Sequence, residues 1–440
     1  MSTTSPSLRV TPIKHPLNAN VCVPGSKSLT NRALLIASLA NGTTHLTNAL
    51  FSDDSRYFAK ALQTLGFNVQ LDEVNHTMTV TGLGGKIPAN KAELFIGNAG
   101  TAARFLSAFL TLGKGEYILD GEPRMRERPI GDLVDSLSQL GAVLSPLSQR
   151  ERAEGEGRSA ICPPVKIIAN GLPGGKTTIA GDISSQFLSA LLMVAPYAQN
   201  PIEISLSTDL NSKPYVDMTI ASMHDFGVDI ERRDYSRFTI NPTFYSPLLT
   251  TYPIESDASA ASYFFAAPAI CGGTVKVENI SRKSVQGDIA FLDVLMQMGC
   301  TIEETDNSIL VTGPSSLIGV DVDMRDIPDT AQTLAAIAPF ADSPTRIRGI
   351  ASARVKETDR VHATCTELNR LGVQVEEHED GLTIYPTFNL QPANIQTYND
   401  HRMAMAFSLI GLRFDGVTIE NPSCVSKTFP NYFEVLETLR

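Results

Sequence analysis

Positively charged side chains recur beside polar loops in this sequence, and their spacing favours an anion-binding site. The cations in question are, in chain order, Lys27 and Arg32, the arginines of 124–129, those of 354–360 and 400–402, and Lys427. Any one of them alone would fit a solvated charge or a surface ion pair. Brought together, they would require bound anions, because uncompensated buried cations are costly in free energy. Arginine binds phosphate and carboxylate groups through paired hydrogen bonds, so a ligand carrying both groups is the natural complement.

Two carboxylates beside these cations are candidates for acid–base chemistry. Asp329 opens one of the apolar stretches, and Glu357 lies within the cationic segment 354–360. Desolvation and neighbouring charges can shift the pKa of such a carboxylate either way, which suits proton transfer. A helix cap for Asp329 and an ion pair with Arg360 for Glu357 stay open as alternatives. His401 is likewise open between a site residue and an ordinary core or capping histidine.

The elements that must position these groups repeat along the chain. Six stretches are apolar on nearly every side and follow polar starts near residues 26, 98, 184, 257, 329 and 400. A helix that is apolar all round belongs inside a protein, and the free amides of its first turn can bind an anion. The starts lie about 72 residues apart, with one gap near 86, and a fixed period indicates repeat architecture.

An amphipathic helix and short strands follow each apolar helix, so the predicted unit is βαβαββ. The amphipathic helices end at a glycine after apolar residues three apart, as in 62–66 and 368–372, which is typical of a left-handed helix cap. Predicted strands include the alternating stretches 77–81, 237–240, 308–312 and 382–385. The longer gap between units falls at 148–160, a charged run typical of a solvated surface loop.

The number of units predicts two domains and a place for the N-terminus. The sixth unit ends at its second helix, 431–439, while the strand-like stretch 8–13 has no unit of its own. We therefore expect residues 8–13 to complete the last unit, which brings both termini into one domain. The predicted domains are 21–253 and, as a discontinuous second domain, 1–20 with 254–440.

Composition argues against several classes of protein. The net charge of −11 disfavours a general binder of nucleic acid or of acidic membranes, both of which present basic faces. The six cysteines form no CxxC motif and no cluster, which favours a reduced, cytoplasmic protein. We find no apolar signal core at 1–12 and no transmembrane stretch, and we expect a soluble monomer. The seven histidines lack metal-ligand spacing, and 170–177 lacks the first glycine of a phosphate loop.

Several ordered motifs carry a resemblance to a known family. They are PGSKSLTNRALLIASL, GNAGTAARFL, GEPRMRERPI, SSQFLSALL, RVKETDR, YNDHRMAMAFS and KTFPNYF, running from about residue 20 to the C-terminus. They closely resemble the 5-enolpyruvylshikimate-3-phosphate (EPSP) synthases. The resemblance implies an α/β fold, a two-domain inside-out α/β barrel in which each domain has three βαβαββ repeats around buried parallel helices. It also implies transfer of the enolpyruvyl group of phosphoenolpyruvate to the 5-hydroxyl of shikimate 3-phosphate, in aromatic amino acid biosynthesis, with no metal and no organic cofactor.

The resemblance also implies site residues, motif by motif. The implied contacts of shikimate 3-phosphate are Lys27, Ser28, Arg32, Ser184, Ser185, Gln186, Ser212, Tyr215, Asp329, Ser352 and Lys356. The implied contacts of phosphoenolpyruvate are Lys27, Asn98, Gly100, Thr101, Arg128, Gln186, Arg360, Arg402 and Lys427. The implied catalytic residues are Lys27, Asp329, Glu357 and His401. In this scheme Asp329 accepts the 5-hydroxyl proton, and either Glu357 or Lys27 protonates the methylene carbon.

Three positions depart from the family pattern. Phe105 stands where many members have proline, which leaves sensitivity to the inhibitor glyphosate open although Gly100 is retained. Ser352 replaces an asparagine found in many bacterial members, so its substrate contact is open, and Ala353 replaces a frequent tryptophan.

Two alternative functions deserve a test against the same residues. One is a UDP-N-acetylglucosamine enolpyruvyl transferase, but that family has a reactive cysteine in the loop corresponding to 122–129, where this sequence has none. The other is a non-catalytic repeat protein that binds acidic ligands. Such a protein would not need Lys27, Arg128, Lys356 and Arg402 together, so we favour the shikimate 3-phosphate enzyme.

Overall fold

The structure is a computed structural model that describes residues 6–147, 161–246 and 250–440. The charged run 148–160, predicted to be a surface loop, lies outside the described residues. The described residues fall into two compact units, one within Gly25–Ile254 and one within Met1–Pro24 and Glu255–Arg440. We call them the continuous unit and the discontinuous unit. Each has a hydrophobic core of its own.

Helices alternate along the chain between buried and amphipathic. In chain order they are α1 (Lys27–Leu39), α2 (Asp53–Thr64), α3 (Gly100–Leu110), α4 (Gly131–Gln139), α5 (Ser185–Val194), α6 (Lys213–Asp225), α7 (Ala258–Cys271), α8 (Phe291–Gln297), α9 (Ala331–Ile337), α10 (Arg360–Arg370), α11 (His401–Arg413) and α12 (Tyr432–Glu437). The odd-numbered helices are the predicted apolar ones, and in α7 every residue but Ser259 and Cys271 is buried. Among the described helices, none has the length and apolar character that crossing a membrane requires.

The strands form one small sheet per repeat. They are β1 (Ser7–Arg9), β2 (Leu17–Cys22), β3 (Asn41–Thr47), β4 (Asn68–Asp72), β5 (Thr77–Leu83), β6 (Lys91–Phe95), β7 (Lys114–Asp120), β8 (Val143–Pro146), β9 (Val165–Asn170), β10 (Gly175–Ile179), β11 (Ile202–Leu206), β12 (Glu231–Arg233), β13 (Arg237–Ile240), β14 (Thr251–Pro253), β15 (Gly273–Glu278), β16 (Thr301–Glu304), β17 (Ser308–Thr312), β18 (Asp321–Asp323), β19 (Thr345–Arg348), β20 (Val375–His378), β21 (Gly381–Ile384), β22 (Ala393–Ile395) and β23 (Val417–Glu420). Strand β10 begins within the stretch 170–177, where a true phosphate loop would lead into a helix, in agreement with the distinction made from the sequence.

Sheet topology confirms the βαβαββ unit. The continuous unit holds the sheets β14-β3-β5-β4, β6-β7-β9-β8 and β10-β11-β13-β12, and the discontinuous unit holds β2-β15-β17-β16, β18-β19-β21-β20 and β1-β23-β22. In every four-stranded sheet the first pair is parallel and the next two pairs are antiparallel. In the sheets that contain β6 and β7, β10 and β11, and β18 and β19, the parallel strands flank a buried helix, and in all five four-stranded sheets the antiparallel hairpin follows the amphipathic helix. Glycines end those amphipathic helices in the left-handed region, with φ of 93° at Gly66 and 80° at Gly372.

The chain termini behave as the unit count predicts, with one addition. Strand β1 pairs antiparallel with β23, so the N-terminal stretch does complete the last repeat. The sequence did not predict that β2 joins the fourth repeat by pairing with β15, or that β14 joins the first by pairing with β3. The predicted boundary between residues 20 and 21 therefore cuts β2, whose ladder with β15 extends to Cys22, and the unit boundary follows Pro24.

Candidate active site

The start of α1 brings the first predicted site residues together. Ser26 caps the helix, because its hydroxyl accepts a hydrogen bond from the backbone N–H of Leu29. Lys27 begins the helix with a largely buried side chain, and its Nζ lies 3.8 Å from Oδ2 of Asp54. A cation thus stands beside the free amides of a helix start, which is the arrangement predicted for an anion site.

Arg32 lies one turn further along α1 and is 2% exposed. Its Nε donates to Oγ1 of Thr219 at 2.8 Å, and its Nη2 donates to the carbonyl of Tyr215 at 2.9 Å and to Oγ of Ser189 at 3.4 Å. Its Nη1 donates to the carbonyl of Ser28 at 3.0 Å. This single guanidinium therefore connects α1 with α5 and α6, and it brings Ser28 and the start of α6 around one charge.

The guanidinium of Arg32 is also held by an aromatic ring. Its Cζ lies 5.4 Å from the ring centroid of Phe105, which is fully buried on α3. A cation at that distance over an aromatic face is attracted by the ring's quadrupole. Burial lowers the pKa of Arg32 to about 10, although Tyr215 and Tyr252 act in the opposite direction. Phe105, the residue that departs from the family pattern, is thus the neighbour of a predicted substrate contact.

A second cation of the continuous unit lies at the start of α3. Arg128 is 5% exposed, and its Nη1 donates to both the carbonyl and Oδ1 of Asn98, at 3.0 and 3.1 Å. Gly100 begins α3, and a Cβ on it would lie only 2.4 Å from Nη2 of Arg128. A side chain at position 100 would displace this guanidinium from the helix start, so glycine lets Arg128 approach it closely. Asn98, Gly100 and Arg128, which the motifs named separately, form one group.

The remaining predicted residues of this unit lie at the starts of α5 and α6. Ser184 caps α5 by accepting from the backbone N–H of Gln186, and Nε2 of Gln186 donates to Oγ1 of Thr101 at 3.3 Å. Ser185 is the first residue of α5 and is buried. Ser212 precedes α6 with φ of 58°, in the left-handed region that non-glycine residues seldom occupy.

In the discontinuous unit, Asp329 is the hub of the predicted cluster. Its Oδ1 accepts from Nζ of Lys356 at 2.7 Å and from Nη1 of Arg360 at 3.2 Å, and its Oδ2 accepts from Nη2 of Arg402 at 2.7 Å. Its backbone carbonyl accepts a further bond from Nη1 of Arg402 at 3.0 Å. The apolar stretch that starts near Asp329 forms a 3₁₀ turn (Pro328–Thr330), α9 and a second 3₁₀ turn (Ala338–Phe340), and Asp329 lies in the first turn. The cap positions of that turn and of α9 are occupied by Ile327 and Thr330.

Arg360 is the most completely paired cation of that cluster. It is 3% exposed, and besides Asp329 it donates to Oε2 of Glu357 at 2.8 Å and to both oxygens of Asp400, at 2.7 and 3.2 Å. Burial alone would lower the pKa of Arg360, but attraction to Asp400, Glu357 and Asp329 outweighs burial and holds that pKa above its ordinary value. The ion pair foreseen for Glu357 therefore exists. It coexists with a second contact, since Nζ of Lys427 lies 3.8 Å from Oε1 of Glu357.

His401 and Ser352 differ in how closely they join this cluster. His401 begins α11, is fully buried, and its Nδ1 lies 3.5 Å from Oδ1 of Asp400. His401 is thus buried, as the plainer alternative expected, and it also lies next to the cation cluster, so its role stays a prediction. Ser352 is half-buried in the 3₁₀ turn Ala351–Val355, on the same loop as Lys356.

Four residues that contact the predicted cations were not themselves predicted as site residues. They belong to two clusters, one around Lys27 and Arg32 and the other around Asp329 and Arg360. Asp400 is fully buried and accepts from Arg360, while it also caps α11 through the N–H of Arg402. Asp54 is the carboxylate beside Lys27, and Ser189 and Thr219 hold Arg32. Asp400 carried a signal, because it occupies the polar start of the sixth apolar stretch. The two hydroxyl residues carried none, because only the packing of α1 against α5 and α6 gives them a charged neighbour.

In the described ranges, no three histidine, cysteine, aspartate or glutamate side chains lie close enough together to hold a metal ion.

Comparison with known proteins identifies a family. The family model of "EPSP synthase (3-phosphoshikimate 1-carboxyvinyltransferase)" matches residues 11–436. A protein of Shewanella denitrificans named 3-phosphoshikimate 1-carboxyvinyltransferase is 51% identical over 420 residues, which is 95% of this chain and 95% of that protein. A protein of the same name from Sulfurovum sp. is 51% identical over 434 residues, 98% of this chain and 99% of that protein.

Solved structures agree with that match. A structure of EPSP synthase from Acinetobacter baumannii, at 25% sequence identity, covers 98% of this chain and 98% of its own, with a TM-score of 0.78. A second structure of EPSP synthase from that organism has a TM-score of 0.79 over 99% of this chain. The predicted fold class, a two-domain inside-out α/β barrel, is thereby confirmed.

Proposed function

The chain belongs to the EPSP synthase family, and from that premise we propose which of its residues carry the reaction. Its activity is that of a 3-phosphoshikimate 1-carboxyvinyltransferase, an enzyme of aromatic amino acid biosynthesis. The enolpyruvyl group of phosphoenolpyruvate passes to the 5-hydroxyl of shikimate 3-phosphate, and phosphate leaves. Neither the UDP-N-acetylglucosamine enzyme nor a non-catalytic repeat protein agrees with this family.

The observation that carries the assignment is Asp329 among Lys356, Arg360 and Arg402. Both substrates are anions, so when they bind, the three cations can form ion pairs with the substrates instead of with Asp329. A substrate hydroxyl can then donate a hydrogen bond to the carboxylate of Asp329 in place of a cation. Asp329 then accepts the proton of the 5-hydroxyl group, and the oxygen of that hydroxyl forms a bond to C2 of phosphoenolpyruvate.

A second proton must reach the methylene carbon of phosphoenolpyruvate. Glu357 is the donor in our proposal, because it is buried and lies between Arg360 and Lys427, both proposed contacts of that substrate. Lys27 remains the alternative donor. In the elimination, the carboxylate of Glu357 takes a proton back from the new methyl group, the bond between C2 and the phosphate oxygen breaks, and the proton held by Asp329 leaves with the phosphate.

In this proposal each substrate is bound by its own set of residues, and Lys27 and Gln186 belong to both sets. Shikimate 3-phosphate contacts Lys27, Ser28, Arg32, Ser184, Ser185, Gln186, Ser212, Tyr215, Asp329, Ser352 and Lys356. Phosphoenolpyruvate contacts Lys27, Asn98, Gly100, Thr101, Arg128, Gln186, Arg360, Arg402 and Lys427. The helix starts at α1, α3 and α5 supply free amides for these anions, and the cations stabilise charge that develops in the transition state. His401 would act through Asp400, beside which it is buried.

The proposal is tested by phosphate release from phosphoenolpyruvate with three acceptors: none, shikimate 3-phosphate, and UDP-N-acetylglucosamine. We expect release only with shikimate 3-phosphate. For the roles, Asp329→Asn removes the base but keeps the shape, so turnover should fall by about 10²-fold or more. Near-normal turnover of a folded Asp329→Asn protein would contradict the assigned base, and release with the sugar nucleotide alone would contradict the substrate.

The monomeric state and the cytoplasmic location belong to the same proposal. Light scattering of the purified protein with and without substrates measures the first. A mass of two chains under both conditions would contradict a monomer.

A further inference from the structure

Arg354 is a cation of the discontinuous unit that the reaction scheme does not use. It lies in the loop that carries Ser352, Lys356 and Glu357 and ends at the start of α10, and its side chain is 24% exposed. Four groups accept hydrogen bonds from it. Nε donates to the carbonyl of Glu379 at 3.0 Å, and Nη2 donates to the carbonyl of His378 at 2.7 Å. Nη1 donates to the carboxylates of Asp359, at 2.9 and 3.2 Å, and of Glu377, at 2.8 Å.

These acceptors lie on two different pieces of backbone. Glu377, His378 and Glu379 belong to the end of β20 and the turn that leads to β21, whereas Asp359 caps α10 by accepting from the N–H of His362. The planar guanidinium of Arg354 thus connects the β20–β21 turn to Asp359, the residue immediately before α10. Arg360, the next residue, donates to Asp329, Glu357 and Asp400.

The same turn holds the beginning of the loop. Asp380 accepts from the backbone N–H of Gly349 through Oδ2 at 3.1 Å, and its carbonyl accepts from the N–H of Ile350 at 2.8 Å. Nη2 of Arg346 donates to Oδ1 of Asp380 at 3.0 Å. The loop is therefore fixed at both ends to one hairpin turn, and Arg354 supplies the fixation nearest to Lys356 and Glu357.

We infer that Arg354 is a positioning residue, which sets the places of Lys356, Glu357 and Arg360 through the β20–β21 turn and the cap of α10. The inference rests on the proposed roles of those three residues. Arginine suits the task because its rigid fork satisfies two carbonyls and two carboxylates at once, which the point charge of lysine cannot do. A displacement of about 1 Å at a reacting group can cost up to about 10²-fold in rate, so a loosened loop should be visible in catalysis.

The fourth repeat offers a matched control. Arg282 lies in the equivalent loop, between β15 and α8, and its side chain is also 24% exposed. Its Nη1 donates to Asp293 at 2.7 Å, and its Nε lies 3.8 Å from Glu304 on β16, the strand equivalent to β20. None of the proposed substrate contacts or catalytic residues lies in that loop. Replacing Arg282 therefore tests the effect on stability without changing the proposed site.

The experiment compares Arg354→Met with Arg282→Met in the full-length protein, measuring kcat and KM for both substrates together with the midpoint of thermal unfolding. We expect similar small decreases in the midpoint. For Arg354→Met, kcat/KM should fall by about 10- to 10²-fold, with KM for shikimate 3-phosphate raised and kcat lowered, because Lys356 and Glu357 both move. Arg282→Met should stay within about twofold of the unsubstituted protein, and Arg354→Lys should recover only part of the loss.

A second pair of variants decides the matter if Arg354→Met does not fold. Asp359→Asn leaves an oxygen that can cap α10 but removes the charge that holds Arg354, and Asp293→Asn is its counterpart at Arg282. We expect a several-fold loss of kcat/KM for Asp359→Asn alone. Activity within twofold of the unsubstituted protein for Arg354→Met, or for Asp359→Asn where the first does not fold, would overturn the inference, and so would equal losses in the two repeats. No phosphate release by the unsubstituted protein would instead overturn the proposed function and this inference with it.

Discussion

In the continuous unit the buried guanidinium of Arg32 donates to hydroxyl and carbonyl oxygens, whereas in the discontinuous unit Arg360 donates to three carboxylates. Both side chains are almost fully buried, at 2% and 3% exposed. The net pKa shifts are opposite: burial lowers the pKa of Arg32 to about 10, whereas the carboxylates around Arg360 outweigh burial and hold its pKa above the ordinary value. The same residue type is thus destabilised as a cation in one cluster and stabilised in the other.

The difference shows what each cluster is suited to do. Within the described residues, the acceptors of Arg32 are all neutral, so this charge is balanced only when an anion binds. The cations of the other cluster already face Asp329, Glu357 and Asp400, so an anion there must displace a carboxylate from a cation. Under the roles proposed above, the first arrangement would bind a phosphate tightly, and the second would make carboxylates available for proton transfer as substrates arrive.

Removing each arginine should produce the largest contrast. Arg360→Met leaves three carboxylates without their shared cation, and breaking such a buried pair costs about 3–5 kcal/mol of unfolding free energy. For Arg32 the buried charge has the opposite effect on the free energy of unfolding. Because folding lowers its pKa, the unfolded chain holds the proton more tightly, so below pH 10 the charged side chain costs stability. Arg32→Met removes that cost along with the hydrogen bonds, and we expect a change of about 1 kcal/mol or less.

Scanning calorimetry of both variants without substrates measures this contrast, at pH 7 and in one buffer. Since 1 kcal/mol moves the midpoint of a unit of this size by about 2–4 °C, the two should be clearly separated. Binding of shikimate 3-phosphate should be lost in Arg32→Met although its fold is intact. Equal destabilisation by the two substitutions would break the comparison.

A substitution of Glu357 should affect turnover without affecting stability to the same degree. Glu357→Gln keeps the size and one acceptor for Arg360 but removes the ionisable proton, so kcat should fall by about 10²-fold or more with KM largely retained. Glu376→Gln, on the exposed side of β20, is the control and should leave kcat unchanged. Normal turnover of a folded Glu357→Gln protein would leave Lys27 as the proton donor and move that role to the continuous unit.

The aromatic neighbour of Arg32 should have a smaller effect. Phe105→Leu removes the ring but keeps an apolar side chain, and a cation–π contact of this kind is worth about 0.5–2 kcal/mol. We therefore expect KM for shikimate 3-phosphate to rise roughly 3- to 10-fold with kcat little changed. Phe109→Leu is the matched control, since Phe109 is equally buried one turn along α3 but contacts Phe67 instead. Equal changes in KM for the two variants would mean that packing, and not the ring over Arg32, is responsible.

The sequence predicted more of the fold than of the contacts. The period of the apolar helices, the helix-ending glycines and the place of β1 could be read from spacing, because each is a local pattern repeated at a fixed interval. The exchange of β2 and β14 between repeats could not be predicted from spacing. The residues of a strand that pairs in parallel do not indicate which distant strand is its partner. That exchange is why the predicted boundary cut β2.

For the site, the sequence named the cations and one neutralising pair, Glu357 with Arg360, but not the pairing of Asp329 and Asp400 with the same cation. Asp329, Glu357 and Asp400 all lie near helix starts, where a carboxylate is equally expected as a cap, so their shared cation was not evident. Thr219 and Ser189 hold Arg32 from helices far along the chain, and a hydroxyl in a helix gives no hint of a buried charge beside it. Pairing depends on packing between repeats, which single-sequence patterns do not contain.

The smallest effect should come from the thiols, because neither cluster contains one. Burial raises the pKa of Cys271 to about 11 and of Cys300, Cys365 and Cys424 to about 12, so these thiols hold their protons and react slowly. Cys22 on β2 is exposed, but partial burial and the neighbouring Glu278 raise its pKa as well. Alkylation at pH 7, and Cys22→Ser, should therefore leave kcat within about twofold. Mass spectrometry would count the labelled sites in parallel. Loss of turnover in proportion to a single labelled cysteine, with the fold intact, would place a nucleophile where both clusters offer only oxygen and nitrogen groups, and it would return the UDP-N-acetylglucosamine reaction to consideration.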